Sequence, residues 1–154
     1  MKSAAKPTCH EIHLEDRLFV AIVKSANSMG QEAEQLIKSH GLTGAQYNVL
    51  RILRGAEPEG LLCRGISERM ISRDPDITRL LDRMEKRGLI TRERQREDRR
   101  VIKTRITPEG LACLKKLDHP VSELHQKQFG HMKAARKKVL WELLEELAQR
   151  ELAI

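Results

Sequence analysis

Aromatic side chains are scarce in this sequence. Four in 154 residues (Phe19, Tyr47, Phe129 and Trp141) are too few for the stacking platforms on which RNA or single-stranded DNA lies. Cysteine is limited to Cys9, Cys63 and Cys113. An odd number at wide spacing argues against a disulfide framework, and the default compartment is a reducing cytosol. Hydrophobic runs are short as well. The longest, Leu18 to Val23, has six residues, so no segment reads as a transmembrane helix and no membrane partner is expected. Met1 to His10 carries two lysines and no apolar stretch, so no secretory signal is expected. There is no nucleophile elbow, phosphate-binding loop or metal-protease helix. Neither catalysis nor a cofactor is therefore expected.

Charge is what the chain has in quantity. It holds 29 Lys and Arg against 22 Asp and Glu, a net charge of +7. Between Arg64 and Arg105 stand 14 basic and 8 acidic residues, so +6 of that excess lies in under a third of the chain. A charge run spread evenly would be a solvated, salt-bridged face. Concentrated like this, and made mostly of arginine, it favours a nucleic-acid partner, because guanidinium forks match phosphates and base edges.

The hydrophobic pattern is mainly helical. Residues 1–10 have no periodicity and read as a loose arm. Leu14, Leu18, Ala21, Ile22, Ser25 and Met29 fall on one helical stripe, which continues through Leu36 and Ile37 to a stop at Gly41. Thr43-Gly44-Ala45-Gln46 has capping-box form and opens a helix that buries Tyr47, Leu50 and Leu53. A turn over 56–60 leads to a short helix around 64–70, with Ile66 and Met70 inward. Asp74, as N-cap, and Pro75, at the first helical position, then open the best-signalled helix. It buries Ile77, Leu80, Leu81 and Met84 and ends at Gly88. The period then changes to two: a strand over 90–94, a charged loop over 95–99 and a second strand through Ile102, Thr104 and Ile106 form a β-hairpin. Thr107-Pro108-Glu109 opens a helix striped by Leu111, Leu114, Leu117, Val121 and Leu124, and a strongly amphipathic helix covers 133–152.

Short helix, tight turn, well-capped helix and basic hairpin are, in that order, the parts of a winged helix-turn-helix. The second helix would enter the major groove by its N-terminal part. There it offers Ser72, Thr78, Arg79 and Arg83. The hairpin would reach the backbone and a narrow minor groove with Arg96, Arg99 and Arg100. The plainer reading of Arg79 and Arg83 is an exposed face with Asp82 as local partner.

These stretches resemble the MarR (multiple antibiotic resistance regulator) family of bacterial transcription factors. The resemblance lies in Gly41-Leu42-Thr43-Gly44-Ala45-Gln46-Tyr47, in residues 74–88 (DPDITRLLDRMEKRG) with Leu89-Ile90, and in Asp98-Arg99-Arg100 leading to Ile106-Thr107-Pro108-Glu109-Gly110. It covers nearly the whole chain from Leu14 onward. It implies a fold that is mainly α with a small β-hairpin wing: a winged helix-turn-helix lobe over 41–110, with dimerisation helices over 11–40 and 111–154. It further implies a homodimer that binds a pseudo-palindromic operator on double-stranded DNA as a ligand-responsive repressor. On this resemblance Asp98 braces the wing while Arg100 approaches the minor groove; a plain hairpin-turn role for Asp98 is the alternative. The chain departs from the family at Leu62-Cys63-Arg64-Gly65, where members usually have a Thr or Ser cap and a polar run. Dimerisation also has a reason in the residues, since one lobe cannot cover the leucine stripes of both terminal helices. Packing within the monomer is the alternative.

The signal is less legible. The resemblance implies a small aromatic or phenolic effector, whose pocket Phe19 and Tyr47 could line; both also suit a core. A sensor thiol should be exposed and electropositive, and Cys63, beside Arg64, fits best. The oxidation-sensing branch of the family carries its thiol early in the first long helix, where this chain has Phe19. Cys9, His10 and His13 form a compact donor cluster on the arm, but without a scaffold no metal site is assigned. A thiol- or metal-responsive regulator of the same fold, or a helical protein-interaction module, are the alternative functions.

Overall fold

The computed structural model describes residues 13–72, 76–94 and 101–149. The chain divides into two compact units, residues 1–32 and 33–154. In the first, the described residues are helical from Leu14. They belong to α1 (Leu14–Ser39), whose Leu14, Leu18, Phe19, Val20, Ile22 and Val23 are exposed.

The second unit holds the core. After the end of α1 come α2 (Gly44–Arg54), β1 (Leu61–Leu62), α3 (Cys63–Arg69), α4 (Ile77–Lys86), β2 (Ile90–Arg94), β3 (Ile102–Ile106), α5 (Pro108–Phe129) and α6 (Ala134–Gln149). Val49, Leu50 and Leu53 of α2, Ile66 of α3, Leu80, Leu81 and Met84 of α4, and Leu114 and Leu117 of α5 are deeply buried, together with Ile90 from the sheet. Each of these helices contributes one stripe, as amphipathic periodicity requires. On α6 no residue is buried, and Val139, Trp141, Leu143, Leu144 and Leu147 are exposed.

The capping box at Thr43 forms in full. Its Oγ1 accepts from the Gln46 N–H at 3.2 Å, and Gln46 Oε1 accepts from the Thr43 N–H at 3.1 Å. α1 and α4 are followed by left-handed glycines, Gly41 at φ +79° and Gly88 at φ +71°, a conformation that a Cβ disfavours.

Three expectations are corrected. α4 starts at Ile77, capped by Asp76, whose Oδ1 accepts from the Arg79 N–H at 3.3 Å. The capping role therefore falls two residues later than Asp74, which with Pro75 lies outside the described residues. The expected hairpin forms, but among the described residues the sheet has a third strand. β1 pairs antiparallel with β3 (Leu61 opposite Thr104), and β3 pairs with β2 (Ile90 opposite Ile106, Arg94 opposite Ile102). Two residues are too few to show a period of two, so β1 leaves no pattern in the sequence. α3 begins at Cys63, one residue earlier than expected. Leu62 stands at its N-cap without a side-chain cap bond, in keeping with the unusual Leu-Cys-Arg-Gly start.

Candidate nucleic-acid interface

α4 is two-faced. Leu80, Leu81 and Met84 are buried in the core, whereas Thr78, Arg79 and Arg83 are exposed. The Arg79 guanidinium is held by Asp76 (Nε to Oδ2, 3.1 Å), yet the side chain stays 79% exposed. Such a pair is worth little in water and leaves the fork able to exchange partners. Ser72 lies in the connection before α4 and is exposed. The local partner of Arg79 is thus Asp76 and not Asp82, because Asp82 is engaged elsewhere.

That engagement is with the wing. Arg92, at a half-buried position of β2, sends Nη2 to Asp82 Oδ1 at 2.5 Å and to Glu85 Oε2 at 2.7 Å, and Nε to Glu85 Oε2 at 2.9 Å. The Arg92 backbone N–H donates to Glu85 Oε1 at 3.1 Å. One guanidinium therefore ties the first wing strand to two carboxylates of α4. The hydrogen bond to Glu85 raises its pKa above the ordinary arginine value; burial opposes this, and the hydrogen bond to Asp82 adds to it. Reading the sequence alone does not reveal this cluster. The signal it offers is an arginine at an inward strand position shortly after two acids spaced i,i+3 on a helix.

Other ties hold the lobe around α4. Arg87, just past its end, donates from Nη1 to Gln46 Oε1 at 3.0 Å and from Nη2 to the Gly41 carbonyl at 2.8 Å. Arg105 of β3 reaches Glu93 Oε2 at 2.8 Å and the Pro58 carbonyl at 3.1 Å. Arg54 of α2 meets both carboxylate oxygens of Asp118 on α5 at 2.9 Å. Arg87, Arg92 and Arg105 of the basic segment are thus engaged within the protein, whereas Arg79 and Arg83 on α4 face solvent.

Arg96, Asp98, Arg99 and Arg100, expected at the wing tip, lie outside the described residues, as do Cys9 and His10. β2 ends at Arg94 and β3 begins at Ile102. Tyr47 is buried in the core, with the Arg51 guanidinium 5.9 Å from its ring centre. Phe19, on α1, is exposed. Cys63 and Cys113 are free thiols of intermediate exposure, and both pack partly against the core. His13 is exposed. Among the described residues no group of three or more His, Cys, Asp or Glu could hold a metal, and no helix is long and apolar enough to cross a membrane.

Comparison with known proteins accords with this geometry. Residues 40–101 match the model of the MarR family. The chain is similar to the organic hydroperoxide resistance transcriptional regulator of Bacillus subtilis, at 32% identity over 89% of this chain and 93% of the relative. It is also similar to the homoprotocatechuate degradative operon repressor of Escherichia coli, at 27% identity over 86% of this chain and 88% of the relative. Among solved structures, a MarR transcription factor from Planctomyces limnophilus shares 37% identity over 86% of this chain and 96% of that one, with a TM-score of 0.67. With a winged helix-turn-helix whose second helix turns arginines to solvent, and with relatives matched over most of their length, the chain belongs to the MarR family of transcription regulators.

Proposed function

We propose that the protein is a transcriptional repressor that binds a two-fold operator on double-stranded DNA as a homodimer. The observation that carries this reading is the split character of α4: an apolar face fixed in the core, a Thr78–Arg79–Arg83 face open to solvent, and a strand of the wing clamped to the same helix by Arg92. In this reading Ser72, Thr78, Arg79 and Arg83 meet the major groove. Arg96, Arg99 and Arg100 meet backbone and minor groove, with Asp98 bracing the tip. The exposed apolar residues of α1 and of α6 are what a second copy would cover. Occupying the operator then blocks transcription until an effector lowers affinity. The homoprotocatechuate operon repressor among the relatives supports a small aromatic acid as that effector.

Selection of bound genomic fragments followed by footprinting tests the proposal. The expected result is a two-fold site, protected at two positions about one helical turn apart, with affinity that falls steeply as salt rises. Arg79→Ala should lose about 1–3 kcal/mol on the operator and much less on unrelated DNA. Protection without two-fold symmetry, or affinity insensitive to salt, would overturn it and favour a protein-interaction module. Release by aromatic acids supports the effector class. Release by peroxide, reversed by a thiol reductant and lost in Cys63→Ser, would assign the signal to oxidation instead.

A further inference from the structure

We infer that Ile71 is a specificity-determining residue that reads a thymine methyl group in the operator; this rests on the DNA-binding reading above. Ile71 is 89% exposed, more than any other large hydrophobic residue among those described. A lone surface isoleucine is ordinary. This one differs in where it stands and how it is held. It is outside α1 and α6, whose exposed apolar residues a second copy would cover. It lies in the connection between α3 and α4, next to exposed Ser72 and shortly before Asp76 caps the helix that carries Thr78 and Arg79.

Its backbone is also anchored. The Ile71 N–H donates to Asn48 Oδ1 of α2 at 2.9 Å. The preceding Met70 packs against the core, so the chain turns from inward to outward between consecutive residues. The side chain is thus presented to solvent from a backbone tied to the body of the lobe. On the major-groove edge of DNA, hydrogen-bonding groups dominate, and the apolar feature is the C5-methyl of thymine. A branched aliphatic side chain cannot accept or donate a hydrogen bond, so among base edges it gains most from that methyl. Ser72, next in the chain, and Arg79 on α4 would supply the polar part of the same readout.

The test removes the methyl from either side. In the footprinted operator, each thymidine of one half-site is replaced singly by deoxyuridine, which deletes the methyl and keeps every hydrogen-bonding group. Binding is measured for the wild-type protein and for Ile71→Ala, with thermal melting to confirm that the variant is folded. At one or two positions deoxyuridine should weaken wild-type binding about fourfold, as expected for one apolar carbon left in water. Ile71→Ala should bind the unmodified operator about fifteenfold more weakly, since both half-sites lose the contact, and should show no deoxyuridine penalty at those positions. An unchanged affinity for Ile71→Ala, an undiminished penalty in it, or no sensitive thymidine in the wild type would each overturn the assignment. Failure of the wild type to bind any two-fold site would instead overturn the proposed function.

Discussion

Replacing Arg92 with Ala removes the guanidinium contacts that tie β2 to Asp82 and Glu85, and leaves the bond from its backbone N–H to Glu85. The two carboxylates are then left without a cation between them. The side chain is only 24% exposed, so solvent replaces it poorly. Arg92→Ala should cost about 1–3 kcal/mol of stability, read from the urea midpoint, and Arg92→Lys should recover part of it. Arg64 provides the contrast. It also pairs with acid, Glu68 at 2.6 Å, and that hydrogen bond raises its pKa, but the side chain is 89% exposed and spans one turn of its own helix. Screening by water makes such a pair nearly dispensable.

At the level of elements, the junction between the sheet and α5 depends on a missing side chain. Gly110, in the first turn of α5, lies against the Leu89 carbonyl, and a Cβ there would also come within 2.8 Å of Ile106 Cγ1 and 3.1 Å of Leu50 Cδ2. Just beside it the Thr107 hydroxyl donates to the Gly88 carbonyl at 2.6 Å and accepts from the Gly110 N–H at 3.1 Å. The contacts are with backbone and buried side chains, so they cannot step aside. Gly110→Ala should destabilise the protein by about 2–3 kcal/mol in equilibrium unfolding. Local signals of this kind are readable from sequence: the Thr43 box, the stop at Gly88, and the Thr107-Pro108 start each depend on neighbours within a few residues. Asp76 is harder, because Asp74 and Asp76 are both residue types that suit a cap. The Arg92 and Arg87 ties are not readable in that way. They join residues 7 to 46 positions apart, and charge counting treats such arginines as free when they are already engaged.

For the whole molecule, the exposed apolar surface of α6 bears on the oligomeric state. Trp141, Leu143 and Leu144 are exposed, and no residue of this helix is buried in the single chain. Leu144→Glu should therefore leave the lobe's melting behaviour intact while shifting sedimentation to monomer and abolishing tight operator binding; a dimer that persists would locate the contact elsewhere. The amide of Gln46 has a consequence on the same scale. Its single Oε1 serves two donors, the Thr43 N–H that begins α2 and the Arg87 guanidinium that follows α4, while Arg87 also grips the Gly41 carbonyl after α1. Oxygen shared in this way behaves as a rivet through three overlapping plates. α4 cannot swing away from α2 and the end of α1 there without unfastening two helix ends at once, so the three elements are held to one another at this single oxygen and its arginine.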